Sequence, residues 1–253
     1  MLKILLSPAK SIDTNVPCFS EPSVPEFESD AEFLVNRLKK MSPKALSALM
    51  SISDDLAQMN WSRFQDWKRL TDNSKAIQPV FSFTGEVYRG FDASSLSSDH
   101  INHAQDTIRV LSGLYGILKP LDGICPYRLE MGSKFPALKN QKNLYEFWGD
   151  RLTMNLENDL NSDDVIINLA SKEYSKAIKF KNISNQVIVP VFKDYKNGQL
   201  KTIMMFAKKA RGSMARYIVQ QKLESAEGIK NYNIDSYGFD EKLSNENEWV
   251  FIR

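Results

Sequence analysis

Apolar residues in this chain recur with two distinct periods. Leu2, Ile4, Leu5 and Leu6 form a short apolar run that predicts a buried strand over 1–6. Pro8 ends its ladder and Lys10 projects from the loop that follows. Pro17, Pro22 and Pro25 make 15–28 an extended surface connection rather than a linker between independent domains. Phe33, Leu34, Leu38 and Met41 then return at helical spacing, predicting a helix over 30–41. Ser42-Pro43 supplies a cap and a first-turn proline for a second helix to about residue 52. Ser53 opens a third, short helix with Asp54 and Asp55 at its positive dipole end.

Glycine punctuates the middle of the chain. Runs 83–90 and 111–120 predict strands or turns on either side of a helix over about 98–110. Leu144, Phe147, Trp148, Leu152 and Leu156 predict one amphipathic helix over 143–160, followed by a buried strand over 164–170. Two β-rich runs, 186–195 and 200–207, are joined through Asn197-Gly198, the strongest short hairpin signal. A helix is predicted to start near Ser213, and a last strand to span 249–252. No internal repeat or low-complexity tract is present. Single strands alternating with helices argue for α/β, a mixed sheet surrounded by helices, in one domain over 1–253.

Charge changes this picture. The formal net charge is only +2, yet residues 167–222 hold twelve Lys or Arg against Glu173 and Asp194. Within 207–216, Lys208, Lys209, Arg211 and Arg216 occur without one carboxylate. With a helix starting near Ser213, exposed backbone N–H groups would add to these cations. A concentrated positive field recruits polyanions, and cation–phosphate contacts gain free energy from counterion release. Nucleic acid or a phosphorylated small molecule is therefore the expected partner, against the plainer reading that lysines merely solvate helix faces.

The remaining chemistry is sparse. Cys18 and Cys125 lie far apart without Cys-x-x-Cys spacing, which argues against a disulfide framework or zinc knuckle and for a reduced compartment. His100 and His103 stand three apart on a predicted helix, too few ligands for a metal or an iron store. Gly113 and Gly116 lack the flanking residues of a phosphate loop and are better explained by close packing. Arg128 and Glu130 fall on one side of an extended segment, as an ion pair or polar site. No apolar run approaches the roughly 18 to 20 residues of a membrane span, and 1–6 lacks the features of a signal peptide, so a cytoplasmic location is expected.

Six blocks in order carry a resemblance over essentially the whole chain: ILLSPAK at 4–10, LSGLYGILKPLD at 111–122, PYRLEMG at 126–132, FWGD at 147–150, VIINLAS at 165–171 and AKKARG at 207–212. Together they resemble the bacterial peroxide stress protein YaaA family. The resemblance implies a cytoplasmic protein that helps cells withstand hydrogen peroxide, with links to DNA-damage tolerance and to limiting free iron. It also implies an α/β fold of unusual topology, a basic cleft and a helix-hairpin-helix element that binds DNA. That element would fall within 54–67, its hairpin on Leu56–Phe64, with Gln58 where glycine is expected, Asn60 in the second tight-turn position and Arg63 as the nearby cation. The alternative is a plain helical turn that covers the core with Trp61, Phe64 and Trp67.

Two functions follow as expectations. The first is a DNA-binding protein without bond-breaking chemistry, contacting duplex, bubble or junction DNA by backbone and shape. Its residues would be Lys10, Gln58, Asn60, Arg63, Arg128, Lys208, Lys209, Arg211 and Arg216, with DNA-repair proteins as further partners and oligomeric state open. The second is an enzyme acting on a phosphorylated or nucleotide-like molecule, with Glu130, Tyr127 and Ser7 as its reactive groups. Against it, no nucleophile is paired with a histidine base and no metal or cofactor motif is present, so the balance leans away from an enzyme.

Overall fold

The computed structural model describes residues 1–72 and 75–253. In chain order the strands are β1 Leu2–Leu6, β2 Ser11–Ile12, β3 Phe83–Thr84, β4 Ile108–Ser112, β5 Gly116–Leu118, β6 Val165–Asn168, β7 Val187–Lys196, β8 Gln199–Lys201, β9 Gly238–Asp240 and β10 Glu248–Ile252. The α-helices are α1 Glu28–Leu38, α2 Pro43–Met50, α3 Asp54–Asp66, α4 Pro79–Ser82, α5 Glu86–Phe91, α6 Ser98–Thr107, α7 Leu144–Trp148, α8 Arg151–Asn158, α9 Lys172–Ser175 and α10 Met204–Gln220. The main sheet runs β5-β4-β1-β6-β7-β10-β9, with β8 paired to β7. Neighbours from β4 to β10 are parallel, and β5, β8 and β9 are antiparallel additions.

All five residues of β1 are buried, and parallel neighbours pair with both of its edges. Even Lys3 is covered, and its ammonium reaches the Asp106 carbonyl at 3.0 Å and Asp159 at 3.2 Å. Arg109, on the adjoining strand, grips the same carboxylate with two guanidinium nitrogens at 2.7 and 2.9 Å. Desolvation and the Arg109 charge hold the Lys3 pKa below the usual lysine range, against the pull of Asp159.

Several elements form as expected. Ser42 and Ser53 cap α2 and α3 by accepting from the N–H groups of Ala45 and Leu56. Asn197 and Gly198 both have positive φ, 53° and 73°, and close the β7–β8 hairpin.

Others differ from expectation. α6 stops at Thr107, since Ile108–Val110 pair with β1 as a strand. The helix expected over 143–160 is two helices, broken where Gly149 takes φ 55° and ψ −120°. Only Phe83–Thr84 of the 83–90 run is strand, and α5 begins after Gly85. β8 is three residues long, and α10 begins at Met204 rather than near Ser213. Ala207, Ala210, Met214, Ala215 and Ile218 are buried on α10, so the helical period governs that stretch.

The hairpin expected over 56–64 is not formed. Asp54–Asp66 is one continuous helix. Asn60 is buried inside it and donates to the Leu56 carbonyl at 2.7 Å, instead of entering the left-handed region. Phe64 and Trp67 are buried and Trp61 packs against the core, as the plain-helix alternative requires. The nearest turn is at Ser51, with φ 52°, between α2 and α3.

Two glycines fix how α10 meets α5. A Cβ on Gly212 would overlap the Val87 carbonyl oxygen, and one on Gly90 the Lys209 carbonyl oxygen. The two backbones thus touch along crossing helices. Gly212→Ala is expected to lower stability by about 1 to 3 kcal/mol through forced separation of α5 and α10. Urea unfolding of the variant measures this, and an unchanged midpoint would show that the helices part freely.

Candidate functional site

The chain leaves β1 for β4 on one side and returns to β6 on the other, so the carboxyl ends of these three strands meet where connections diverge. Such a reversal in a parallel sheet leaves a crevice suited to ligands. Ser7 leaves β1 there. Its Oγ accepts from the Ser171 N–H at 2.9 Å and donates to the Ser171 Oγ at 3.3 Å. Tyr88 of α5 donates its hydroxyl to the Ser7 carbonyl at 3.0 Å.

The 126–132 segment crosses the same end. It fits because Gly113 has no side chain, since a Cβ there would overlap the Leu129 carbonyl oxygen. Glu130 receives two cations, Arg128 at 3.1 Å on one oxygen and Lys10 at 2.7 Å on the other. Arg128 is mostly buried, and its Nε meets no acceptor among the described residues. Gly132 donates its N–H to Glu173 at 2.9 Å, tying this segment to α9 just after Ser171.

Lys10, Arg128 and Glu130 are thus brought together, at the end of the sheet where Ser7 meets Ser171. Tyr127 sits beneath them in a structural role. Its hydroxyl lies 2.7 Å from the Ser112 Oγ, which also accepts the N–H groups of Leu114 and Tyr115. Burial drives the Tyr127, Tyr88 and Tyr174 phenols far above their usual range, so each keeps its proton at neutral pH. Sequence reasoning missed Ser171, Tyr88 and Glu173. One signal existed for Ser171: like Ser7, it is a serine closing a run of buried strand residues.

The basic run does not form one surface. Arg216 turns to the end of α5, donating to the carbonyls of Phe91 at 2.9 Å and Asp92 at 2.7 Å, where a cation offsets the helix dipole. Lys209 pairs with Asp235 at 3.0 Å. Arg211 is largely covered, its Nε has no acceptor among the described residues, and burial lowers its pKa. Lys208 is exposed and has no ion pair among the described residues. Because α10 starts at Met204, these cations lie within the helix and no free N–H groups accompany them. Gln58 and Arg63 stand on α3, away from any turn, with Asp54 and Asp55 at its start.

Two cavities lie elsewhere. One, of about 410 Å³, includes Glu32, Lys39, Trp67 and Arg69 in its walls. The other, of about 250 Å³, is bounded by Ser23, Gln105, Arg109, Asp122 and Asp159. Asp122 is 3% exposed and accepts from the Ser23 hydroxyl and the Lys119 N–H, both at 2.7 Å. Burial outweighs these bonds and raises its pKa to about 6. Among the described residues, no three His, Cys, Asp or Glu side chains gather as metal ligands, and no helix is long and apolar enough to cross a membrane.

A family model described as peroxide stress protein YaaA matches residues 2–243. A UPF0246 protein of Shewanella oneidensis is 47% identical over 255 residues, covering 99% of this chain and 98% of its own length. UPF0246 proteins of Burkholderia thailandensis and Burkholderia mallei are similar at 46% and 45% identity, with the same coverage of each chain.

The raised Asp122 pKa makes a stability prediction. A carboxyl whose folded pKa exceeds its unfolded value favours the fold when protonated, so its contribution is complete below about pH 4 and is lost as pH rises through about 6. Asp122→Asn should therefore gain on the wild type by about 2 to 3 kcal/mol between pH 4 and pH 7. Denaturant titrations across that range measure the difference, and parallel profiles would refute it.

Proposed function

The chain belongs to the peroxide stress protein YaaA family, and we propose that it serves the peroxide response by binding DNA through the phosphate backbone, without reading base sequence. Bound in this way it helps shield DNA from hydrogen peroxide and iron-driven damage. The observation that carries this reading is uncompensated positive charge on one hairpin-helix unit. Lys193, Lys196 and Lys201 on β7 and β8, and Lys208 on α10, have no ion pair among the described residues. Lys196, Lys201 and Lys208 are exposed.

Neither acid of the 167–222 stretch offsets these lysines. Asp194 is buried and engaged by Arg253 at 2.5 Å and by the Tyr237 hydroxyl at 3.1 Å. Glu173 accepts from the Gly132 N–H. A hairpin followed at once by a helix offers a lysine-bearing edge that suits a phosphate backbone. Asn60 and Arg216 are left out of this surface, because each is committed to backbone carbonyls.

Fluorescence anisotropy with labelled duplex, bubble and junction DNA across a salt series tests the reading. With about four phosphates neutralised, log affinity should fall against log salt with a slope of about −3.6. The pair Lys201→Ala and Lys208→Ala should flatten that slope by about 2 and weaken binding to all three forms alike. A flat salt response in the wild type, or a variant indistinguishable from it, would overturn the proposal.

A further inference from the structure

We infer that the crevice at the carboxyl ends of β1, β4 and β6 is a binding site for the phosphate of a small phosphorylated molecule, in which Glu130 occupies the anion's place until the ligand displaces it. This site is separate from the lysines of the β7–β8 hairpin and α10, and it stands or falls independently of DNA binding.

Three observations converge on it. First, one carboxylate serves two cations: Lys10 and Arg128 each take a different oxygen of Glu130, so neither cation has a carboxylate to itself. A phosphate, with more charge and more oxygens than one carboxylate, would serve both cations better in that place. Second, Arg128 is mostly buried while its Nε lacks an acceptor among the described residues, an arrangement that costs free energy until an oxygen arrives. A phosphate oxygen is suited to it, since a guanidinium binds phosphate through two nitrogens at once. Third, hydroxyl capacity lies at the same end of the sheet. Ser171 accepts from Ser7, but its own O–H donates to no group among the described residues.

Glu130 can yield its place. Lys10 is 61% exposed, and an ion pair of that kind contributes little because water competes for both partners. Arg128 and Glu130 are two residues apart on an extended segment, so the carboxylate can swing outward without breaking a strand pairing. The frame beneath stays fixed, held by the Tyr127–Ser112 and Tyr88–Ser7 hydrogen bonds.

Isothermal titration calorimetry with inorganic phosphate and with ribose 5-phosphate tests the inference. The wild type should bind both saturably. Arg128→Gln should weaken binding by about tenfold or more, the loss expected when one charge-assisted contact is removed. Lys10→Ala, a change at an exposed side chain, should weaken it less. Glu130→Gln should tighten binding several-fold, because the competing carboxylate is gone; a pocket in which Glu130 holds the ligand directly would instead lose affinity. Thermal unfolding of each variant establishes that it is folded before titration. No saturable heat in either wild type or Glu130→Gln, equal affinity in Arg128→Gln, or weaker binding in Glu130→Gln would overturn the inference. The Lys201→Ala, Lys208→Ala pair should bind phosphate as the wild type does, which separates failure of this site from failure of the DNA surface.

Discussion

The fold is organised by the pairing of β1 on both of its edges. A strand buried on two faces can satisfy its backbone N–H and carbonyl groups only through its neighbours, so the registers with β4 and β6 are tightly set. Two consequences follow from those registers. Lys3 is carried into the interior and must share Asp159 with Arg109. At the other end, Ser7 emerges between the ends of β4 and β6, within reach of Ser171. The crevice and the buried charge cluster are therefore opposite ends of one constraint.

Close backbone contact between α5 and α10 transmits that frame to the basic helix. Without side chains on Gly90 and Gly212 the helices touch, which aims Tyr88 at the Ser7 carbonyl while turning Arg216 onto the end of α5. The AKKARG sequence thus mixes packing and charge. Its glycine makes the contact, Arg211 is drawn toward cover, and Lys208 is left to solvent. Charge counted along the chain overstates the positive surface, because acids distant in sequence return to it: Asp235 meets Lys209, Asp92 meets Arg216, Asp99 meets Lys222 and Asp150 meets Lys179.

What was legible in the sequence were features whose cause is local. Asn197-Gly198 declares its turn because both residues adopt positive φ at low cost, and Ser42 and Ser53 declare helix starts through their own side-chain bonds. The Arg128–Glu130 pair was legible for the same reason, two residues on one side of an extended segment. The start of α10 was not, since residues 200–207 are apolar enough to read as strand, and only burial of Ala207 and Ala210 against the body of the protein decides for helix. Nor was continuity of α3 legible. Asn60 tolerates a turn, but within a helix its amide is satisfied by the Leu56 carbonyl and the turn has no advantage. The meetings of Ser7 with Ser171, 164 residues apart, and of Lys10 with Glu130 depend on strand order, which no local pattern encodes.

Two kinds of positive charge therefore coexist, and they differ physically. The lysines of the hairpin and α10 stand in water, where each contributes weakly at contact but adds to a field that reaches about a Debye length, roughly 8 Å at physiological salt. A field of that kind favours a long polyanion, which can touch several lysines at once. Arg128 is enclosed, shielded from salt and short of an acceptor, so its attraction is strong but confined to whatever enters the crevice. Size of ligand, rather than sign of charge, separates the two. On the proposed readings, a long polyanion would engage the hairpin edge, while the crevice would admit only a group small enough to replace Glu130 between Lys10 and Arg128.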